Sequence, residues 1–185
     1  MGKKVIGILV GSLRRDSFSK RDGAHLSGLL EERYQIKFFD IASLAMFNED
    51  LEPESNLPQE WRYFRQEVKN VDAVLFITPE YNRSIPPVLK NALDIASRPY
   101  TENAWSGKPG AIVSISPGPS GGFGANHHLR QTAVCLGICM MSQPEAYISD
   151  VSSVVDEGGV SDEKTQDLLK NFADAFADWV DKLAG

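Results

Sequence analysis

Val5-Ile6-Gly7-Ile8-Leu9-Val10 runs without a break into Gly11-Ser12-Leu13-Arg14-Arg15-Asp16-Ser17-Phe18-Ser19-Lys20. An apolar run of strand length thus ends at hydroxyls and guanidinium groups. The residues that follow, Ser17 to Glu32, carry Leu26, Leu29 and Leu30 at helical spacing. A handover from strand to helix suits an anion, because the first amides of a helix have no carbonyl partner and carry the positive end of its dipole. A phosphorylated ligand is therefore expected at this loop. The same residues also suit a ligand-free helix start, with Asp16 or Ser17 as N-cap and the arginines in solvent. The loop has neither the Gly-Lys-Ser/Thr ending of a nucleotide-hydrolase P-loop nor the G-x-G-x-x-G of a dinucleotide turn.

Further strand-length runs follow at Gln35 to Phe39, Ala73 to Ile77, Ala111 to Ile115 and roughly Ile138 to Met141. Helical spacing fills the intervals. Leu57, Trp61, Phe64 and Val68 form one stripe; Pro87 opens a helix bearing Leu89, Ala92, Leu93 and Ala96, a position where its missing amide costs nothing. A fourth helix is expected from Gly124 to Leu136. The last runs from about Ser161 to Leu183, with Ser161 as its cap and Leu168, Leu169, Phe172, Phe176, Trp179 and Val180 on its core face. Five alternations of strand and helix predict an α/β three-layer, doubly wound fold around a parallel sheet with right-handed crossovers. Five strands suit the flavodoxin-like order 2-1-3-4-5, with the ligand crevice at the carboxyl ends of strands one and three. At 185 residues with 42% hydrophobic content, a single domain over residues 1–185 is expected.

That order selects two loops, the first being Gly11 to Ser19. The second is Thr78-Pro79-Glu80-Tyr81-Asn82-Arg83-Ser84-Ile85-Pro86-Pro87, rich in turn formers and bearing a ring and an amide. The fourth strand ends in Ser114-Ile115-Ser116-Pro117-Gly118-Pro119-Ser120-Gly121-Gly122, where glycines let a backbone approach a planar ligand. Either loop also serves as a plain connector.

The net charge of -6 and the pI near 5.1 argue against nucleic acid, whose phosphates demand clustered Lys and Arg. No run reaches transmembrane length, and Val5 to Val10 is too short for a leader, so a cytoplasmic protein with no membrane partner is expected. Cys135 and Cys139 suit buried, reduced thiols. They make no C-x-x-C motif and, without a well-placed histidine, no metal site is expected. Adjacent His127 and His128 point about 100° apart on a helix and suit polar surface contacts, while His25 suits a structural or solvated role.

Taken together, Gly11-Ser12-Leu13-Arg14-x-x-Ser17-Phe18 and Pro79-Glu80-Tyr81-Asn82-x-Ser84-Ile85-Pro86-x-x-Leu89-Lys90-Asn91-Ala92-Leu93-Asp94 resemble the NAD(P)H-dependent FMN reductases, in particular the chromate and quinone reductase branch. Ser97-Arg98, Gly107-Lys108-Pro109, His128-Leu129-Arg130-Gln131 and Pro144-Glu145 extend the likeness over most of the chain. The resemblance implies FMN, with its phosphate held by Gly11, Ser12, Leu13, Arg14, Ser17, Phe18 and Ser19. Pro79, Glu80, Tyr81 and Asn82 would wrap the isoalloxazine ring, and Ile115, Ser116 and Gly118 would line its other side. It further implies NADPH or NADH as co-substrate and quinones as acceptors, with chromate, azo dyes or free flavin as side substrates. No catalytic side chain is called for, since hydride chemistry resides on the flavin. Arg83 and Arg98 suit either attraction of an anionic acceptor or the NADPH phosphate, or an ordinary solvated surface. Family members form homodimers, some pairing into homotetramers. This chain departs in Ser19 for a common Asn, Ile95 for Trp, and Gly124 and His127 for an Arg and a Tyr of close relatives, while Glu145 is kept. The rival reading is a flavodoxin carrying single electrons; strong acidity at the flavin edge is its mark, whereas arginines stand in these loops.

Overall fold

A computed structural model describes residues 2–184. Strand β1 (Val5–Val10) leads to helix α1 (Phe18–Leu30), β2 (Gln35–Phe38), α2 (Gln59–Lys69), β3 (Ala73–Pro79), α3 (Pro87–Ala96), β4 (Pro109–Ile115) and α4 (Phe123–Cys135). The chain continues through β5 (Cys139–Met140), β6 (Ala146–Ile148), α5 (Val151–Val154), β7 (Val155–Asp156), β8 (Gly159–Val160) and α6 (Glu163–Leu183). The main sheet is parallel in the order β2-β1-β3-β4-β5, with β6 also on β4. This is the expected flavodoxin-like order.

Alternation along the central strands divides the core. Ala73, Leu75 and Ile77 face α1 and α6 with Ile6, Ile8, Leu26, Phe172 and Phe176, while Val74 and Phe76 face Trp61, Phe64, Leu93 and Trp105 on the other side. Phe76, Trp61, Trp105, Phe172 and Phe176 are fully buried, each contributing on the order of 1.5–3 kcal/mol or more. The two indoles are also satisfied: Trp61 donates to the Ala45 carbonyl at 3.1 Å and Trp105 to the Leu93 carbonyl at 2.9 Å.

The sequence expectations fail at short elements. The fifth position holds two pieces, because Ser142-Gln143-Pro144 interrupts the strand and proline offers no amide to the ladder. The antiparallel β7–β8 hairpin was not anticipated, its strands being two residues each. Helix α6 is capped by Asp162 rather than Ser161: its carboxylate accepts from the Thr165 amide at 2.9 Å, while Ser161 donates to the Val154 carbonyl. Leu168 is 37% exposed and falls outside the α6 core stripe. The cysteines are not buried either, Cys135 being exposed and Cys139 half-buried, since α4 turns that end outward before Gly137 (φ 71°) reverses the chain.

Candidate functional site

At the end of β1 the chain enters α1 through Ser17, whose hydroxyl accepts from the Lys20 amide at 3.4 Å while its carbonyl accepts from Arg21. The amides of Phe18 and Ser19 precede the helical ladder and have no carbonyl to bond. Ser12, Arg14, Ser17, Phe18 and Ser19 line one side of a cavity of about 310 Å³. Ser12, Ser17 and Ser19 are only 5%, 3% and 1% exposed, so they belong to the wall of the cavity and not to an open surface. Among the described residues, Arg14 has no ion-pair partner.

The opposite wall comes from the carboxyl ends of β3 and β4. Pro79, Glu80 and Tyr81 contribute one part, and Ile115, Ser116 and Pro117 the other. Tyr81 and Ser84 exchange two backbone hydrogen bonds of 2.9 Å across a two-residue turn whose central residues, Asn82 and Arg83, both take positive φ (51° and 66°). The Ser84 hydroxyl meets His128 Nδ1 at 2.6 Å. The Glu80 carboxylate is engaged on both oxygens. Its Oε2 accepts from the Ala125 amide at 3.1 Å in the first turn of α4, and its Oε1 accepts from Arg83 at 3.3 Å. Gly124 permits this contact, since a Cβ there would stand 2.9 Å from Glu80 Oε2 and 3.0 Å from the Arg83 carbonyl.

Ten of the fourteen sequence-predicted residues border this one cavity. The other four lie around it. Gly11 is packed behind it, donating to the Ile77 carbonyl at 2.8 Å, and a Cβ there would sit tightly, 3.3 Å from Thr78 Oγ1 and Pro79 Cδ. Leu13 is 53% exposed and turns the other way; Asn82 sits at the turn tip; the Gly118 amide donates to Ser116 Oγ at 3.0 Å. The glycines that matter for packing are Gly121 and Gly122, at φ 57° and 78°, where a Cβ would strike Tyr147 and Ile115 backbone. Sequence reasoning missed Pro117 and Val151 as wall residues. Val151 arrives because its amide donates to the Ser116 carbonyl at 3.1 Å, a long-range contact with no local signal.

Electrostatics differ around the cavity. Of the nineteen Lys and Arg residues, eleven pair with a described carboxylate, but Arg14, Arg15, Lys20 and Arg21 do not. Beneath them, Asp22 is fully buried with both carboxylate oxygens unpartnered, and burial pushes its pKa up to about 7. His25, one turn on, has an unpartnered Nε2, and burial lowers its pKa. On the α4 side, His127 Nε2 meets the Tyr147 hydroxyl at 3.0 Å, and the Phe123 ring lies tilted by 38° against His127 at 4.1 Å between centroids. Burial, then a hydrogen bond with Glu145, pushes the Tyr147 phenol up to about 12.

Comparison with known proteins places this geometry. A family model described as NADPH-dependent FMN reductase matches residues 4–152. A quinone reductase of Pseudomonas putida is 48% identical over 175 residues, spanning 95% of this chain and 94% of its own. A 2-hydroxy-1,4-benzoquinone reductase of a Burkholderia species is 44% identical over 176 residues, 95% of each. The solved structure of FerB, a flavoenzyme NAD(P)H:(acceptor) oxidoreductase from Paracoccus denitrificans, superposes with a TM-score of 0.90 at 41% identity, over 97% of this chain and 98% of that one.

Proposed function

The chain belongs to the NADPH-dependent FMN reductase family, and from that premise we propose that it is an FMN-dependent NAD(P)H:quinone oxidoreductase. The observation that carries this reading is one cavity with two unlike walls: serine hydroxyls, Arg14 and unbonded helix amides on one side, Pro79, Tyr81, Ile115 and Pro117 on the other. The first wall fits a phosphate, and the second fits a planar ring. Bound FMN supplies acceptance of hydride from the nicotinamide and delivery of two electrons to the acceptor. The protein supplies position. Ser12, Ser17, Ser19 and Arg14 hold the anionic end, and the Tyr81–Ser84 turn, tied to α4 through Glu80 and His128, fixes the wall against which the ring lies. The Glu80 carboxylate is engaged by Ala125 and Arg83, so it acts as a brace and not as a base.

Quinones are the main acceptors in this reading, with chromate a secondary one. Homodimerisation is part of it: Phe123 (53% exposed) and Val134 (72%) stand eleven residues, about three turns, apart on the outer face of α4. Glu145, which the family associates with tetramers, is held within the chain 3.7 Å from Arg130, and this favours the dimer. Free cysteines and nicotinamide chemistry favour the cytoplasm; no described helix is long and apolar enough to cross a membrane. Mixing FMN-loaded protein anaerobically with NADPH or NADH should bleach the yellow flavin, and added benzoquinone should restore it. Persistence of the colour with both nicotinamides would overturn the reading. Bleaching without reoxidation by quinone would overturn the acceptor.

A further inference from the structure

A second cavity of about 280 Å³ adjoins the first across Ser12, at the carboxyl ends of β1 and β2. Leu13, Phe38 and Ile41 give it apolar walls, and Lys20 and Asp40 stand at its edge. Two of those walls are unusually bare for large apolar residues: Leu13 is 53% and Phe38 48% exposed. Ligands of open α/β sheets bind beyond the carboxyl ends of the strands, and here that ground continues past the flavin cavity.

The charge pattern is the second observation. Arg14, Arg15, Lys20 and Arg21 lie within eight residues and pair with no described carboxylate, in a chain of net charge -6 whose other cations are mostly paired. Arg14 borders the flavin cavity and Lys20 the second one. The FMN phosphate accounts for the charge on the first side only. A further anionic group would find Lys20 unpaired on the other.

Asp40 gives the second cavity a fixed polar edge, because its Oδ1 accepts from the Ala42 amide at 2.9 Å and the other oxygen is left to accept from a ligand hydroxyl or amine. An exposed aromatic face, an ammonium group and a fixed carboxylate oxygen suit a flat base, a phosphate and a sugar or amino donor in turn. The cavity is of nucleoside size and too small for a whole dinucleotide. Resting on the reading of the first cavity as the flavin site, we propose that the second cavity receives the adenosine 2′-phosphate end of NADPH, with Lys20 on the phosphate and the base against Phe38, while the nicotinamide lies over the flavin. Leu13 is then the ridge that the pyrophosphate crosses, and Lys20 is the residue that separates NADPH from NADH.

The test uses FMN-loaded protein and calorimetric titration with 2′,5′-ADP, 5′-AMP and inorganic phosphate. The 2′-phosphorylated nucleotide should bind about tenfold more tightly than 5′-AMP, the size of one charge-assisted contact, and inorganic phosphate should compete only weakly. Lys20→Gln should erase that tenfold preference and lower the ratio of NADPH to NADH affinity by the same factor. Arg15→Gln removes an equal charge from beside the cavity and should change the ratio less than threefold. Phe38→Ser should weaken both nucleotides together. Equal binding of 2′,5′-ADP and 5′-AMP, or equal effects of Lys20→Gln and Arg15→Gln, would overturn the proposal. Flavin bleaching by both nicotinamides would leave the oxidoreductase reading intact in that event, so the two failures are distinct.

Discussion

The two walls of the cavity proposed to hold FMN are built on opposite plans. The α1 side leaves charged and amide groups uncommitted: among the described residues Arg14 has no ion pair, and the Phe18 and Ser19 amides have no carbonyl partner. The far side is bonded to itself, with Glu80 on Ala125 and Arg83, Ser84 on His128, Ser116 on Gly118, and Ser114 donating to the Gly121 carbonyl at 2.9 Å. Affinity is thus concentrated where groups wait for a charge, and ring geometry where they are already spent on each other. An anion can be gripped by unpaired donors, whereas a planar ring needs a wall that does not move.

The largest expected effect tests the cost of the uncommitted side. Asp22 is buried beneath it, its pKa raised from 3.8 to about 7 by burial. The folded chain holds this proton more tightly than the unfolded one, so the penalty is absent below about pH 4, grows as the pH rises and is complete above about pH 7. It then amounts to about 4 kcal/mol. Asp22→Asn should therefore gain stability over the parent by roughly that amount between pH 4 and pH 8, as read from urea midpoints of the apoprotein. A constant gap across this range would show that the carboxyl finds a partner or water.

Next in size is Arg14→Ala, which should weaken FMN by about 1.5–3 kcal/mol, the range for a hydrogen bond to a charged group, while leaving riboflavin almost untouched. Quenching of flavin fluorescence measures both. Similar losses for the two flavins would place Arg14 on the ring and break the division of labour. Glu80→Gln should be the mildest, because the amide oxygen still accepts from Ala125 and only a 3.3 Å ion pair with the exposed Arg83 is lost, about 0.5 kcal/mol. FMN and riboflavin should weaken together by less than about threefold. A loss confined to FMN would move Glu80 to the phosphate side.

The α1 side was the more legible in sequence because its chemistry is local: Ser12, Arg14, Ser17 and Ser19 lie within eight residues between an apolar run and a helix. The sheet order was legible for a similar reason, as β1, β3 and β4 are long and almost wholly apolar. The far side was harder. Tyr81 and Ile115 carry clear signals, but the direction of the Glu80 carboxylate depends on α4, some 45 residues further on. Val151 reaches the cavity through β6, whose three residues show no periodicity. Asp162 and Ser161 are both good caps, and only the path of the preceding hairpin decides between them.

The divided fifth strand bears on how the protein breathes. β5 offers β4 two residues of pairing and β6 three, each fewer than the four shared by β1 and β2 or the six shared by β3 and β4, so each piece has few bonds to break. Ser116 and Val151 hang from it through the Ile148 carbonyl and the Val151 amide. This side of the cavity therefore opens to solvent exchange before the sheet centre does, and a ligand seated against Val151 would act as a latch on a divided seam of the sheet.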